Sequence, residues 1–589
     1  MRHSTIAALL LSTAFPLASS ASSGDLATVS ERSGFLRTGR YDEVIRLCRD
    51  FQAKYPKAVR CFDFGTTPEG RPMKAMAVST SGALTPEAAR AKGLPVVLAQ
   101  GGIHAGEIDG KDAGFLAIRE MLQGKAAKGA LDRVVLLFVP VFNVDGHENF
   151  RAWNRPNQRG PEEMGFRVTA QRYNLNRDYM KADAPEMQAL LRLDNAWDPL
   201  VEIDLHVTDG AKFQHDVSIT GEPVNSGDME LRSVGRAVKD GLLERLAAQG
   251  SQPLGFYPSF VEDDDPESGF IEGPSTPRFS NGYYQLRNRV GILLETHSWR
   301  TYPERVRITR NGIVDLVELT AAHGKDWLAA ARAADQRARK LAGTPVALSY
   351  RTTDDVRMID FKGYAYERRK SDISGGTMTE YDESKPQVWH VPLKDHVVAD
   401  AEVVAPRAGY LIPAAWAAIV EPKLKVHGIE YRRLAKALPG AAVETFRADT
   451  AKFAANSFEG HQPVTLTGHW APEHRDLVAG ALFVPIAQAK SRLLMGLLEP
   501  QAPDALVAWG EMNNAFESKE YMESYVAEQE ARKMLARDPA LKQEFEQRLK
   551  NDGDFAKSPR ARLDFFYRRH PAHDQALRLY PVYRSDTTP

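Results

Sequence analysis

Four side chains in this sequence are of types, and stand at places, that let them act on one small volume. His104 and Glu107 stand three residues apart, just after the apolar run Pro95–Gln100 and the turn Gly101-Gly102-Ile103. A second histidine, His206, closes the run Val201-Glu202-Ile203-Asp204-Leu205, and Glu295 closes Val290-Gly291-Ile292-Leu293-Leu294. Imidazole and carboxylate are zinc ligands, and a catalytic zinc takes three protein ligands while keeping a position for water. His104, Glu107 and His206 supply such a set, for one zinc per chain. Zinc acidifies water and polarises a carbonyl. Glu295 is then the general base, taking a proton from water and passing it to a leaving nitrogen.

Substrate-holding groups lie between the first and second of these segments. Trp153-Asn154-Arg155 and Tyr173-Asn174-Leu175-Asn176-Arg177 are rich in donors. A guanidinium grips a carboxylate through a planar fork, and an amide adds a neutral donor. Asn176 and Arg177 suit a C-terminal carboxylate, and Arg155 suits the oxyanion of a tetrahedral intermediate.

These residues need strands that end together. Apolar runs at Phe62–Gly65, Met73–Ser79, Val134–Val139, Leu200–His206 and Val290–Glu295 read as strands. Helical spacing marks 41–55, 108–122, 184–197, 229–248 and a long stretch from Asn311 toward Gly343-Thr344-Pro345. The alternation predicts an α/β domain with a parallel or mixed sheet, in which sites form at strand ends. Beyond Gly343 short β-like runs recur (346–350, 387–391, 401–404, 442–446, 464–466, 481–484), and charged helix formers fill 518–549. The expected division is 1–21, 22–343 and 344–589, the last an accessory region that is β-rich and then helical.

Composition narrows the class. The chain has 589 residues, 43% hydrophobic and 26% charged, with formal net charge −1. Such a balance provides no field for nucleic acid. Arg2 and His3 precede an apolar stretch to Leu17 and the small residues Ala18–Ala21. That pattern predicts a signal peptide, an exported (periplasmic or extracellular) protein and no stable membrane insertion. Cys48 and Cys61 are the two cysteines; export permits a disulfide between them, and two free thiols fit equally. Glu262-Asp263-Asp264-Asp265 reads as a solvated loop, His215 and His297 as local hydrogen-bonding residues, and Trp470 and Trp509 as packing.

Over about residues 30 to 340 the sequence resembles the zinc metallocarboxypeptidases of the carboxypeptidase A-like group. The resemblance rests on Pro68-Glu69-Gly70-Arg71-Pro72, His104-Ala105-Gly106-Glu107, Asn143-Val144-Asp145-Gly146, Asn176-Arg177, Asp204-Leu205-His206 and Leu294-Glu295-Thr296, in that order. It implies a mixed eight-stranded sheet between helices. It also implies His104, Glu107 and His206 as zinc ligands, Glu295 as base, Asn176 and Arg177 on the terminal carboxylate, and Arg155 on the oxyanion. Three departures stand out. Asn174 occupies the place of an aspartate that orients a zinc histidine, and its amide oxygen can accept the imidazole N–H. Arg155 falls one position late after Trp153. The family's substrate tyrosine has three candidates, Tyr257, Tyr283 and Tyr284.

The expected activity is hydrolysis of an amide bond next to a free C-terminal carboxylate. Peptidoglycan stem peptides are an alternative substrate, a zinc deacylase an alternative enzyme, and a non-catalytic peptide- or glycan-binding protein an alternative of another class. Oligomeric state is not legible.

Overall fold

The computed structural model describes residues 26–589, so the apolar N-terminal segment read as a signal peptide lies outside the described residues. Among the described residues of the first part of the chain nine strands form: β1 (Val59–Thr66), β2 (Pro72–Val78), β3 (Val96–Gly101), β4 (Val135–Val139), β5 (Val201–Val207), β6 (Val217–Glu222), β7 (Pro253–Leu254), β8 (Phe270–Ile271) and β9 (Val290–Thr296). All but β8 join one eight-stranded sheet in the order β1-β2-β4-β3-β5-β9-β6-β7. The neighbours β4, β3, β5 and β9 run parallel, whereas β1-β2, β2-β4 and β9-β6 pair antiparallel. The mixed sheet implied by the resemblance is therefore present.

Strands β3, β4 and β5 are buried at every residue, as continuous Val/Leu/Ile runs require when both faces of a sheet are covered. Flanking helices are α1 (Val29–Arg32), α2 (Tyr41–Lys54), α3 (Pro86–Lys92), α4 (Asp109–Leu122), α5 (Val144–Glu148), α6 (Pro185–Trp197), α7 (Arg232–Ala248), α8 (Ser280–Leu286) and α9 (Tyr302–Ala338). The last begins nine residues before the start read from periodicity, because Thr301 and Glu304 form a capping box around Pro303. From β3 the chain moves to β4 on one side, then crosses to β5 on the other. The carboxyl ends of β3 and β5 thus border a topological switch point, where open α/β sheets leave a crevice.

Cys48 on α2 and Cys61 on β1 are joined as a disulfide, which decides between the two possibilities the sequence left open. Tight geometry surrounds the turn after β1. Asp145 Oδ1 accepts from Thr67 Oγ1 at 2.8 Å and from Arg71 Nη1 at 2.6 Å. The segments Pro68–Pro72 and Asn143–Gly146 are therefore one structural joint, which explains why both accompany the site without touching it.

After α9 come β10 (Pro345–Ala347) and β11 (Tyr350–Thr352), then the long hairpin of β12 (Arg357–Lys370) and β13 (Thr377–Lys394), then β14 (Val397–Ala399) and β15 (Glu402–Val404). A six-stranded sheet follows, containing a second long hairpin, Leu438–Phe453 with Val464–Leu477. Helices Ser524–Arg537, Pro539–Asn551, Gly553–Lys557 and Pro559–Tyr567 close the region, and a final strand, Tyr583–Ser585, returns to the second sheet. The main apolar core is continuous across both parts of the chain: Leu98 and Ile203 of the first sheet belong to the same cluster as Tyr410, Leu424 and Leu494.

Candidate active site

β3 ends at Gly101, and the next residue, Gly102, turns the chain with φ +66°, a region that glycine enters without a Cβ penalty. The turn delivers His104 and Glu107 to the carboxyl end of this central strand. Gly106 between them is needed for a different reason: a Cβ there would lie 2.6 Å from Arg155 Cγ and 2.6 Å from the Gly165 oxygen. The loop 149–167 can pack against the motif only because that side chain is absent. His206 sits near the end of β5 and Glu295 near the end of β9, and the two are direct register partners. Three strand ends thus bring together the four residues singled out from the sequence.

His104 Nδ1 lies 3.0 Å from Glu107 Oε1, and His206 Nδ1 lies 3.0 Å from Glu107 Oε2. The donor atoms of His104, Glu107 and His206 are all within 4.8 Å of one another. The Nε2 of the buried His104 ring has no hydrogen-bond partner, and its Nδ1 faces only the Glu107 carboxylate. Buried polar atoms are nearly always satisfied, so two imidazoles and a carboxylate with spare lone pairs fit a cation. The donor set is that of a three-ligand zinc site.

The surroundings set the charge states. Burial pulls the His104 pKa down to about 4, which keeps the ring neutral and able to ligate. Burial also opposes charge on His206, but the carboxylates of Asp204 and Glu295 outweigh it and raise its pKa. Glu107 is held well below the usual carboxylate range: burial would raise it, and His104 and Arg155 overcome that. Burial pushes Glu295 up to about 8, with His206 opposing and Glu107 and Asp209 adding to the rise.

A cavity of about 420 Å³ opens over this cluster, and its lining includes His104, Glu107, His206, Glu295, Arg155, Asn176 and Arg177. All seven residues proposed from sequence therefore meet at one cavity. Arg155 Nη2 sits 2.8 Å from Glu107 Oε1. Arg177 donates to the Asn176 carbonyl at 2.7 Å and lies over the Phe279 ring at 4.4 Å. It has no carboxylate in ion-pair contact among the described residues, and burial together with Arg167 lowers its pKa. A half-buried guanidinium without a counterion faces a cavity that can supply one.

One expectation is corrected and one open choice is narrowed. Asn174 does not reach His104 or His206: its side-chain oxygen accepts the Asn176 backbone N–H at 3.1 Å, and His104 Nε2 has no partner. A short local turn competes successfully for that amide. The residue at hand beside a histidine is Asp204, whose Oδ2 lies 3.0 Å from His206 Nε2. Of the three tyrosines, Tyr283 and Tyr284 are fully buried, bonded to His427 and Asp194. Tyr257 lines the cavity, with its hydroxyl 3.3 Å from Asp209 Oδ1.

Sequence reasoning missed Arg167, which lines the cavity 3.5 Å from Glu107 Oε1. The missed signal was a second arginine ten residues before Arg177. His215 and His297 stay outside the cluster, bonded to the Gln252 carbonyl and to Thr208. The acidic run is tied up structurally, with Asp264 and Asp265 holding Thr379 and Arg368.

The C-terminal region props this cavity from two sides. β13 pairs with β8, and Glu383 lies 2.5 Å from Arg159 Nη2 and 2.8 Å from Lys212 Nζ. The tip of the second hairpin meets the loop bearing Asn176 and Arg177: Glu459 accepts the Asn174 N–H at 3.2 Å and His461 lies 2.6 Å from Asp183.

Residues 44–250 match the model of the Peptidase_M14 family, zinc carboxypeptidase. No curated protein matches the chain by sequence. Solved structures with likeness include a metallo-carboxypeptidase from Burkholderia cenocepacia, at 17% identity and TM-score 0.36, covering 49% of this chain and 69% of that one. Carboxypeptidase A from Helicoverpa armigera is similar at 15% identity and TM-score 0.37, covering 49% of this chain and 75% of the other. A metallo-carboxypeptidase from Pseudomonas aeruginosa gives 15% identity and TM-score 0.34, covering 49% and 69%.

Proposed function

We propose that this chain, which carries a zinc carboxypeptidase-family domain over residues 44–250, is a zinc-dependent carboxypeptidase that hydrolyses the amide bond next to a free C-terminal carboxylate. The observation that carries the reading is the meeting, in one cavity, of the His104–Glu107–His206 cluster, Glu295, and the unpaired Arg177. His104, Glu107 and His206 would hold the metal. When bound, zinc supplies Lewis acidity and makes water a stronger acid.

The side chains divide the remaining work. Arg177, with Asn176, grips the substrate carboxylate, which fixes the scissile bond relative to Glu295. Glu295 takes the proton of the attacking water and then delivers it to the leaving nitrogen. A bound metal would favour its carboxylate, the form a base needs, while its burial raises its affinity for the proton it takes up. Arg155 and Arg167 present guanidinium donors where negative charge develops on the carbonyl oxygen. The Cys48–Cys61 disulfide supports the expectation of an exported protein.

The test joins metal content with a peptide library, comparing the parent protein and Glu295→Gln, with products read by mass spectrometry. One zinc per chain and a ladder of single C-terminal removals, lost in the variant while zinc is retained, is the expected result. A zinc-free protein would refute the ligand assignment. Zinc with cleavage unaffected by Glu295→Gln would refute the base. Zinc without any cleavage would favour a binding protein.

A further inference from the structure

β3 reads Val-Val-Leu-Ala-Gln-Gly, and Gln100 is its one polar side chain. It is fully buried, as are Asp204, its register partner on β5, and Tyr179, two residues past Arg177. A buried polar group is costly unless it is bonded, so the partners of this amide matter.

Gln100 Nε2 donates to Asp204 Oδ1 at 3.2 Å and to the Tyr179 hydroxyl at 3.1 Å. An ionised carboxylate only accepts, so the amide must present its NH2 side, and Oε1 is left without a partner. Such an amide is a poor choice for packing alone, since an apolar side chain of similar shape would leave no oxygen unpaired. Among the described residues, Gln100 is the hydrogen-bond donor to the Asp204 carboxylate. Asp204 and His206 are two residues apart on one strand, so their side chains share a face. With Oδ1 taken by Gln100, Oδ2 is left beside His206 Nε2, 3.0 Å away.

The Tyr179 hydroxyl is aimed in turn. Its ring packs against Tyr283 and Tyr284, with centroids at 5.4 and 6.3 Å. Those two rings are tied to His427 and Asp194 by bonds of 2.8 Å. A line of fixed groups therefore runs from this aromatic cluster through Tyr179, Gln100 and Asp204 to His206.

We propose, on the zinc reading of the site given above, that Gln100 and Tyr179 are positioning residues for the metal. They hold Asp204 so that it sets the His206 ring, and thereby raise zinc affinity without touching the ion. The loop that carries Arg177 for the substrate then also supports a metal ligand from behind.

The test is the zinc affinity of the full chain carrying Gln100→Met or Tyr179→Phe, each made alone and together with Asp204→Asn, by competition with a chelator of known affinity. Gln100→Met should weaken zinc binding about tenfold, and Tyr179→Phe about two- to tenfold, the range of one hydrogen bond. Added to Asp204→Asn, either change should cost little more, because the line is already cut. A merely structural role would lose the same factor in both backgrounds. Tyr179→Phe keeps the packed ring and serves if Gln100→Met does not fold. Zinc affinity unchanged in both variants, equal losses in the two backgrounds, or a raised KM with zinc affinity intact would each overturn the proposal. A parent protein that binds no zinc would overturn the ligand assignment and, with it, these two roles.

Discussion

Asp204 Oδ2 lies 3.0 Å from His206 Nε2, on the side of the imidazole turned away from Glu107. The ring thereby stands between a carboxylate at its back and the other residues of the candidate metal cluster at its front. Gln100 fixes Asp204 in turn, donating to Oδ1 at 3.2 Å. Carboxylates behind ligand histidines commonly set metal affinity by about 10- to 100-fold. Asp204→Asn should therefore weaken zinc binding by that order while leaving the fold intact. Competition with a chelator of known affinity measures it; unchanged affinity would make Asp204 a packing residue.

Glu295 gives a pH dependence with a definite sign. Its folded pKa, about 8, lies above the ordinary 4.5. In metal-free protein the folded state therefore binds the proton more tightly than the unfolded state. Its contribution to stability is greatest below about pH 4.5 and is lost as pH rises toward 8. Glu295→Gln, which cannot ionise, should be the more stable protein at pH 8 without metal, the gap closing toward pH 4.5. Bound zinc should reverse the order at pH 8 by favouring the carboxylate. Denaturant titrations at several pH values, with and without zinc, check both statements.

Arg177 is expected to read the substrate's terminus. Replacing it with methionine should cost about 1.5–3 kcal/mol of binding to a free carboxylate, or roughly 10- to 150-fold in kcat/KM. Peptides amidated at the C-terminus, poor substrates already, should lose little. Paired assays on free and amidated versions of one peptide give the ratio, and an equal loss on both would remove Arg177 from carboxylate recognition.

Glu383, far along the chain, ties Arg159 of the Arg155 loop to Lys212 beyond β5. Glu383→Gln should loosen both loops and raise KM more than it lowers kcat, with no loss of zinc. Because exposed ion pairs are individually weak, about 0–1 kcal/mol, the global unfolding midpoint should hardly move. A large drop in thermal stability without a KM effect would assign Glu383 to folding alone.

The four candidate residues were legible because His206 and Glu295 close apolar runs that became buried strands, Val201–Val207 and Val290–Thr296, and His104 and Glu107 follow the turn after another, Val96–Gly101. Arg177 was legible as a donor beside Asn176. Asn174 misled, because nothing in its neighbours revealed that a local turn would take its side chain. Tyr257 could not be chosen over Tyr283 and Tyr284 from spacing, since exposure to a cavity is a tertiary property. The long hairpin β12–β13 was seen only at Gln387–Val391. Its outer parts carry Arg368-Arg369-Lys370 and Glu380 through Lys385, exposed along much of both strands, so no apolar alternation marks them.

The continuous core has a consequence for how this molecule could have arisen and how it can be rebuilt. Side chains of the first sheet and of the C-terminal region share one apolar cluster, and Phe213, Phe270, Phe361 and Trp389 form another across the same divide. Neither half is a cassette that recombination could move alone, since each would carry a bare apolar face into water. Changes on one side of the divide are accepted only when the other side accommodates them, so the two parts of the chain must co-evolve, and any transplant of the catalytic fold has to carry its partner with it.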